Sequence, residues 1–250
     1  MDALHNLVAI VTGSAQGIGE SIALEFAREG ARVAVADINF EGAKRVAVQA
    51  ESNGGIATAI EADVTREDSV AKMVKTVVAQ YGSVDILVNN AGIYPRFVWH
   101  EMTLQQWDDT QAVNLRSCFL CSREVFPYFR AKMTGKIINL SSVTFWVGRP
   151  HNLVHYIASK GGVIGFTRSL AHDVGEFNIQ VNAITPGAVE SEEERKVATP
   201  EVIAAVLSQQ SLRRRVQVRD IARTAVFLAS SDSDLITGQT INVDAGWAMH

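Results

Sequence analysis

The sequence predicts an α/β protein of one domain, residues 1–250, built as a doubly wound parallel sheet of about seven strands with helices on both faces. Three observations predict it. Short apolar runs recur along the chain without the alternation of a half-exposed strand, which is the pattern of parallel strands buried on both faces. Amphipathic segments of helical length separate them. The first run also feeds a glycine turn, then a helix, then a second run that ends in an acid, which is a βαβ unit.

Taken in order, Leu7 to Thr12 is the first strand, and Gly13-Ser14-Ala15-Gln16-Gly17-Ile18-Gly19 is the turn. Ser21 to Glu29 reads as a helix closed by Gly30, and Ala31 to Ala36 as the second strand, ending at Asp37. Gly42 to Ser52 is helical, Ile56 to Ala62 is a strand, and Arg66 to Tyr81 is a helix stopped by Gly82. Val84 to Val88 is the fourth strand, followed by Asn89-Asn90-Ala91-Gly92. A long helical region runs from Leu104 to about Lys132. Gly135 to Leu140 is strand five, ending in Ser141-Ser142, and Tyr156 to about Gly175 is a long helix. Ile179 to Ile184 is strand six, ending at Pro186-Gly187, and Thr240 to Asp244 is the last strand. Between them, Ala188 to Arg215 is acidic at Glu190 to Glu194, helical from Pro200 to Ser208, and basic at Arg213-Arg214-Arg215. A stretch this long between core elements is expected to act as a substrate loop or lid. Ile221 to Ala229 is the last helix.

The glycine turn lets backbone approach a pyrophosphate closely, and the helix start behind it offers unpaired N–H groups and a positive dipole end. Its spacing is G-x-x-x-G-x-G, so the general dinucleotide fingerprint applies by mechanism and not letter by letter. Asp37 can accept hydrogen bonds from the adenosine ribose hydroxyls and would repel a 2′-phosphate. Its bland alternative is to cap the helix starting near Phe40. Asp63 and Val64, at the end of strand three, are placed to bracket an adenine, and Asp63 has a helix-capping alternative.

Tyr156 and Lys160 lie one helical turn apart on one face. A lysine charge beside a phenol stabilises the phenolate, which would make Tyr156 a proton donor or acceptor near neutral pH. Alone, such a pair is ordinary helix surface. Cys118 and Cys121 form a C-x-x-C inside an apolar run, which reads as packed, reduced thiols. No metal site is expected. The net charge of −4, with no basic stretch beyond Arg213 to Arg215, argues against nucleic acid. There is neither a membrane-length apolar run nor a secretory signal, so a cytoplasmic protein is expected.

The motifs Thr12-Gly13-x-x-x-Gly17-x-Gly19, Asn89-Asn90-Ala91-Gly92, Ser142, Tyr156-x-x-x-Lys160 and Pro186-Gly187 stand in order over nearly the whole chain. In this the sequence resembles the classical short-chain dehydrogenase/reductase family. The resemblance implies a Rossmann fold, a nicotinamide cofactor and hydride transfer between alcohol and carbonyl. It implies that Tyr156 is the acid/base, that Lys160 lowers its pKa and binds the nicotinamide ribose, and that Ser142 bonds the substrate oxygen. Asn114 matches the asparagine that holds a water in a proton relay to Lys160. Asn90, Ala91 and Gly92 are expected on the adenosine side, and Ile18 and Val189 at the pyrophosphate and carboxamide, with Gln16, Pro186 and Gly187 beside them. Two departures stand out. The interval from Ser142 to Tyr156 is one residue longer than usual, with Ser141 as the alternative serine. Ser191 stands near where a threonine usually contacts the carboxamide.

NAD is expected over NADP, because Ser14, Gln16, Asp37 and Ile38 supply no cation for a 2′-phosphate. The substrate positions are Ile93, Tyr94, Pro95, Val143, Thr144, Phe145, Trp146, His151, Leu153 and His155, with the loop from Ala188; they are mostly apolar or aromatic. Arg96 and Arg149 are expected on the surface. Such a pocket suits a compact, uncharged secondary alcohol or ketone, cyclic or aryl-bearing, gripped by Tyr94, Phe145 and Trp146. A polyol or sugar is an alternative through Thr144, His151 and Asn152, and so is a 3-oxoacyl thioester. A cofactor-binding sensor without catalysis is a third class, opposed by the intact Ser142, Tyr156 and Lys160. A homotetramer is expected from the apolar excess on the helices holding Phe119, Leu120, Val125, Phe126 and Phe129, and Val163, Ile164, Phe166 and Leu170. The tail from Gln239 to His250 is a further subunit contact in many family members.

Overall fold

The chain folds around a seven-stranded, all-parallel sheet; the computed structural model describes residues 2–148, 152–191 and 198–249. The strands are β1 Val8–Thr12, β2 Arg32–Asp37, β3 Ile56–Glu61, β4 Ile86–Asn89, β5 Gly135–Leu140, β6 Ile179–Pro186 and β9 Thr240–Val243, in the order β3-β2-β1-β4-β5-β6-β9. Two more short strands, β7 Val189–Glu190 and β8 Val216–Gln217, form a separate ribbon. The main helices are α1 Gly17–Arg28, α2 Phe40–Ser52, α3 Glu67–Tyr81, α4 Leu104–Gln111, α5 Ser117–Lys132, α6 Thr144–Val147, α7 Val154–Val174, α8 Pro200–Gln209 and α9 Val218–Ala229.

Side-chain alternation explains the two layers. In β1, Ala9 and Val11 face a core shared with α1, α2 and α9, which contribute Ile22, Phe26, Val46, Ile221 and Leu228. Val8 and Ile10 face the other core, with Met73 and Val77 from α3, Val125 and Phe129 from α5, and Ala171 from α7. Both faces are dry, which is why β1 reads as an unbroken apolar run. Strand order reverses at β1, whose neighbours are β2 and β4. Ligands of such sheets bind in the crevice at the carboxyl ends of these strands.

Several boundaries differ from expectation. α1 begins at Gly17 and not Ser21, because the second half of the glycine turn is already the helix's first turn. α2 begins at Phe40 with Asn39 as its cap, the Asn39 Oδ1 accepting from Gly42 N at 3.1 Å. α7 begins at Val154. The helical region from Leu104 is not uniform: a π-helical turn, Ala112–Arg116, joins α4 to α5. The extra residue of Val143 to Val154 lies in a segment holding the unforeseen helix α6, and His151, Arg149 and Pro150 lie outside the described residues. In the expected lid, Glu192 to Val197 also lie outside them, while β7 pairs with β8 and Thr199 caps α8.

Cys118 and Cys121 are buried and free. Among the described residues no helix is long and apolar enough to cross a membrane. Much of the apolar excess on α5 and α7 is consumed within the monomer: Leu120, Val125, Phe129, Val163 and Ile164 are buried, whereas Phe119 stands 46% exposed.

Candidate active site

At the carboxyl end of β1, the turn closes against β4. Gly13 has φ of +63° and an added Cβ would stand 2.6 Å from Ala91 Cα. A Cβ on Gly19 would stand 2.3 Å from the Gly13 carbonyl oxygen and 2.4 Å from Asn90 Nδ2. Asn90 Nδ2 donates to the Thr12 and Gly13 carbonyls at 3.0 and 2.8 Å, and Thr12 Oγ1 accepts from Asn90 N and Ala91 N. The result is a cradle of bare backbone at a helix N-terminus, shaped for an anion to approach closely.

Asp37 ends β2 beside it. Its Oδ2 accepts from Ala15 N at 2.9 Å and its Oδ1 from Asn39 N at 2.8 Å, so it does not cap α2. Each oxygen keeps a lone pair for a ribose hydroxyl. Ile38 is 69% exposed next to it. Asp63 Oδ1 accepts from both Thr65 N and Thr65 Oγ1, a turn ahead of α3 and not a cap of it, since Arg66 occupies the cap position. Val64 is buried in the second core. Ile18 and Val189 pack on the first core from its partly exposed rim, and Ser191 follows β7. Gln16 occupies the cap position of α1 without a side-chain bond to it. Gly187 N donates to Val243 O, and Pro186 O accepts from Val143 N, which ties the end of β6 to β9 and to the segment after β5.

The residues expected to carry catalysis gather between β5, α7 and the π turn. Ser142 leaves the end of β5 with its hydroxyl close enough to the Tyr156 phenol to lower the phenol's pKa. Thr144 Oγ1 donates to Ser142 Oγ at 2.9 Å, which orients it. The alternative, Ser141, is turned away: its hydroxyl donates to the Lys160 carbonyl at 2.7 Å. Lys160 Nζ donates to Leu140 O at 2.7 Å, so main chain and side chain of Lys160 together pin α7 to the end of β5. Asn114, 1% exposed, has its amide spent on structure. Its Oδ1 accepts from Ile93 N at 2.8 Å, and its Nδ2 donates to Ile93 O at 2.9 Å and Ser159 Oγ at 3.0 Å. The Asn114 amide thus serves to tie the Ile93 loop to α7. Ser159, whose hydroxyl donates to Tyr156 O, was missed from the sequence.

Gly92 is placed differently from expectation. A Cβ there would stand 3.4 Å from Asn114 Oδ1 and 3.5 Å from Lys160 Nζ, so Gly92 stands with the residues expected to be catalytic and not on the expected adenosine side. The electrostatics also differ. Burial pushes the Tyr156 phenol up, with Tyr94 adding to it, while the Ser142 hydroxyl pulls it down. Burial pushes Lys160 down to about 8. The Lys160 ammonium lies 5.8 Å from the centre of the Tyr156 ring and is engaged with Leu140 O, so the expected depression of Tyr156 by Lys160 alone is not what this pair gives. Desolvation dominates both groups.

Of the expected substrate positions, Tyr94 meets Tyr156 edge-on, ring centres 6.1 Å apart. Phe145 and Trp146 pack on one another at 4.8 Å, and Phe145 covers Gly161. Arg96 is exposed, as expected. His155 does not line a pocket: it is fully buried, its Nε2 pairs with Pro95 O at 3.0 Å, and its ring packs on Phe97. It thus holds the loop that carries Tyr94. Burial lowers its pKa below the usual 6.5, so the folded state prefers the neutral ring. Protonation then favours the unfolded chain, and stability should fall as pH drops below about 6.5. Urea midpoints measured at pH 7.5 and 5.5 check this. The acid loss should shrink in His155→Gln, and an unchanged loss would clear His155 of the effect.

A family model described as enoyl-(acyl carrier protein) reductase matches residues 13–248. A 3-oxoacyl-[acyl-carrier-protein] reductase of Staphylococcus epidermidis is 41% identical over 248 residues, covering 98% of this chain and 100% of the relative. A solved structure from Sinorhizobium meliloti 1021, provisionally described as a short-chain alcohol dehydrogenase, superposes with a TM-score of 0.91 at 34% identity, covering 98% of this chain and 97% of that one. Another from Agrobacterium tumefaciens, provisionally described as a gluconate dehydrogenase, gives 0.93 at 32% identity, covering 98% and 96%.

Proposed function

The chain belongs to the short-chain dehydrogenase/reductase family, and from that premise we propose that it is an NAD-dependent oxidoreductase interconverting a secondary alcohol and a ketone. The observation that carries the reading is the convergence of Ser142, Tyr156 and Lys160 at the end of β5, with the Lys160 ammonium anchored on Leu140 O and 5.8 Å from the Tyr156 ring. The turn at Gly13 to Gly19 fits a dinucleotide pyrophosphate, because Gly13 packs on Ala91 and Gly19 on Gly13 and Asn90 too tightly for a side chain, which leaves bare backbone at the start of α1. Asp37 fits the adenosine ribose, Asp63 and Val64 the adenine, and Lys160 with Tyr156 the second ribose. Gln16, Ile18, Asn90, Ala91, Pro186, Gly187, Val189 and Ser191 complete the cleft.

The nicotinamide, when bound, accepts or supplies the hydride. The protein supplies the rest. In the oxidative direction Tyr156 as phenolate takes the alcohol proton, and in reduction the phenol returns it. Ser142 and Tyr156 together donate to the oxygen as charge develops on it, and a preorganised pair of donors favours that state over the neutral alcohol. Thr144 Oγ1 donates to Ser142 Oγ, which fixes the Ser142 oxygen and leaves its O–H to donate to the substrate oxygen. Lys160, charged below about 8, supplies positive potential to the buried phenolate.

Asp37 supports NAD over NADP, since a 2′-phosphate would meet its carboxylate and displace a hydroxyl contact. The kcat/KM ratio should favour NAD by about a hundredfold or more. Equal efficiency with both cofactors would overturn the preference, and Asp37→Ala should narrow it.

For the substrate, Tyr94 against Tyr156 and the cluster of Phe145 and Trp146 support a compact, uncharged, ring-bearing alcohol. A second reading, reduction of 3-oxoacyl thioesters, is favoured by the 41% identity to the Staphylococcus enzyme. A sugar or polyol is the third, favoured by the structural likeness to the Agrobacterium protein. An NAD-linked panel of aryl carbinols, cyclic alcohols, polyols and short 3-hydroxyacyl thioesters separates them. A tenfold higher kcat/KM for a thioester or a polyol would replace the first reading. We also propose a homotetramer assembled through α5 and α7, where Phe119 stays exposed; light scattering at micromolar concentration tests it.

A further inference from the structure

One residue of the glycine turn, Ala15, is held from both sides by charged groups. Its N–H donates to Asp37 Oδ2 at 2.9 Å, and its carbonyl accepts from Arg45 Nη2 at 2.8 Å. Arg45 reaches the turn because α2 lies directly on it: a Cβ at Gly42, one helical turn earlier, would stand 2.8 Å from Ala15 Cβ. The same guanidinium is gripped by Glu20 of α1, Nη1 to Oε1 at 2.8 Å and Nη2 to Oε2 at 2.9 Å. Glu20 is 21% exposed and Arg45 54%, so the acid is the more buried partner of the pair. Arg45 and Asp37 therefore meet the same residue of the turn, the cation on its carbonyl and the carboxylate on its N–H.

We propose that Glu20 is a cofactor-specificity residue. It holds Arg45 on the Ala15 carbonyl and cancels its charge, so a 2′-phosphate arriving beside Asp37 meets a carboxylate and no available cation. The device rests on the NAD reading and sharpens it: Asp37 repels the phosphate, and Glu20 withholds the group that would otherwise bind it. Arginine is suited to that latent role because its planar fork matches phosphate. The Glu20–Arg45 bond is partly exposed, so releasing it costs little and the gain on release is modest.

Fluorescence titrations with NADH and with NADPH test the idea in the wild type, D37S, D37S/E20Q and D37S/E20Q/R45Q. Glu20→Gln in the D37S background should tighten NADPH binding about five- to tenfold and leave NADH within about twofold. Arg45→Gln should erase that gain, Arg45→Lys should keep part of it, and added salt should shrink it. NADPH affinity unchanged between D37S and D37S/E20Q would overturn the proposal. So would a parallel loss of NADH and NADPH binding, which would make the pair a structural clamp between α1 and α2. The NAD reading stands or falls on a different comparison, the wild-type preference between the two nucleotides.

Discussion

Tyr156→Phe should lower kcat by at least about a hundredfold while leaving NADH affinity within a few-fold of wild type. The substitution removes one oxygen, which in the proposed mechanism is both the proton carrier and half of the donor pair facing the substrate. Little else depends on it: α7 is held to β5 by Lys160 Nζ on Leu140 O and by Ser141 Oγ on Lys160 O, not by the phenol. Tyr94 still has a ring to pack on. The fold and the nucleotide cleft therefore survive, and the loss falls on chemistry. Because oxidation needs the phenolate and burial raises the phenol's pKa, wild-type alcohol oxidation should climb as pH rises above neutrality, and ketone reduction should fall. Steady-state kcat in both directions, beside a nucleotide titration, measures this. A Tyr156→Phe enzyme retaining a tenth of wild-type kcat would assign the proton to another group.

The elements legible in the sequence were those with a local cause. The sheet could be read because each parallel strand is dry on both faces and therefore apolar throughout, as in Val8 to Thr12. Gly82 could be read as a helix stop because it takes the left-handed conformation there. The Tyr156 and Lys160 pair was visible as a spacing. What escaped depends on partners distant in the chain. Asn114 reads as one polar residue in a helix, yet it sits in a π turn, and its amide ties Ile93, 21 positions back, to Ser159, 45 positions on. No periodicity in Leu104 to Lys132 announces the extra residue of that turn. His155 appears beside Tyr156 in sequence and so suggested pocket lining, but α7 turns it into the interior onto Pro95. Gly92 was assigned by its place in a motif, and only the crossing of the loop over α7 puts it beside Lys160. The Lys160 effect on Tyr156 could be argued from charge alone. The direction of the net Tyr156 shift in the folded chain is set by desolvation, which composition does not reveal.

Gly19→Ala should weaken NADH binding by more than about tenfold and lower the melting temperature by several degrees, although it adds a single methyl group. That methyl has nowhere to go. It would stand 2.3 Å from the Gly13 carbonyl oxygen, 2.4 Å from Asn90 Nδ2 and 2.9 Å from Ser14 Cα. Asn90 cannot yield cheaply, because its amide is what holds the Thr12 and Gly13 carbonyls in place. Nor can α1 back away as a body, since Ile22 and Phe26, on its next two turns, are fully buried in the core shared with α2 and α9. The remaining escape is for the Gly13–Ser14 backbone to swing outward, into the space a pyrophosphate would occupy. Overpacking of this kind typically costs about 1–3 kcal/mol, and each kcal/mol moves the melting point of a chain this size by roughly 2–4 °C. Gly175→Ala is the matched control: it has right-handed helical backbone angles, φ −61° and ψ −35°, and no atom within 4 Å of the new methyl. It should leave both affinity and melting temperature near wild type. If Gly19→Ala behaves like that control in a thermal melt and an NADH titration, the turn has room that the geometry denies, and the cradle assigned to the pyrophosphate is in the wrong place.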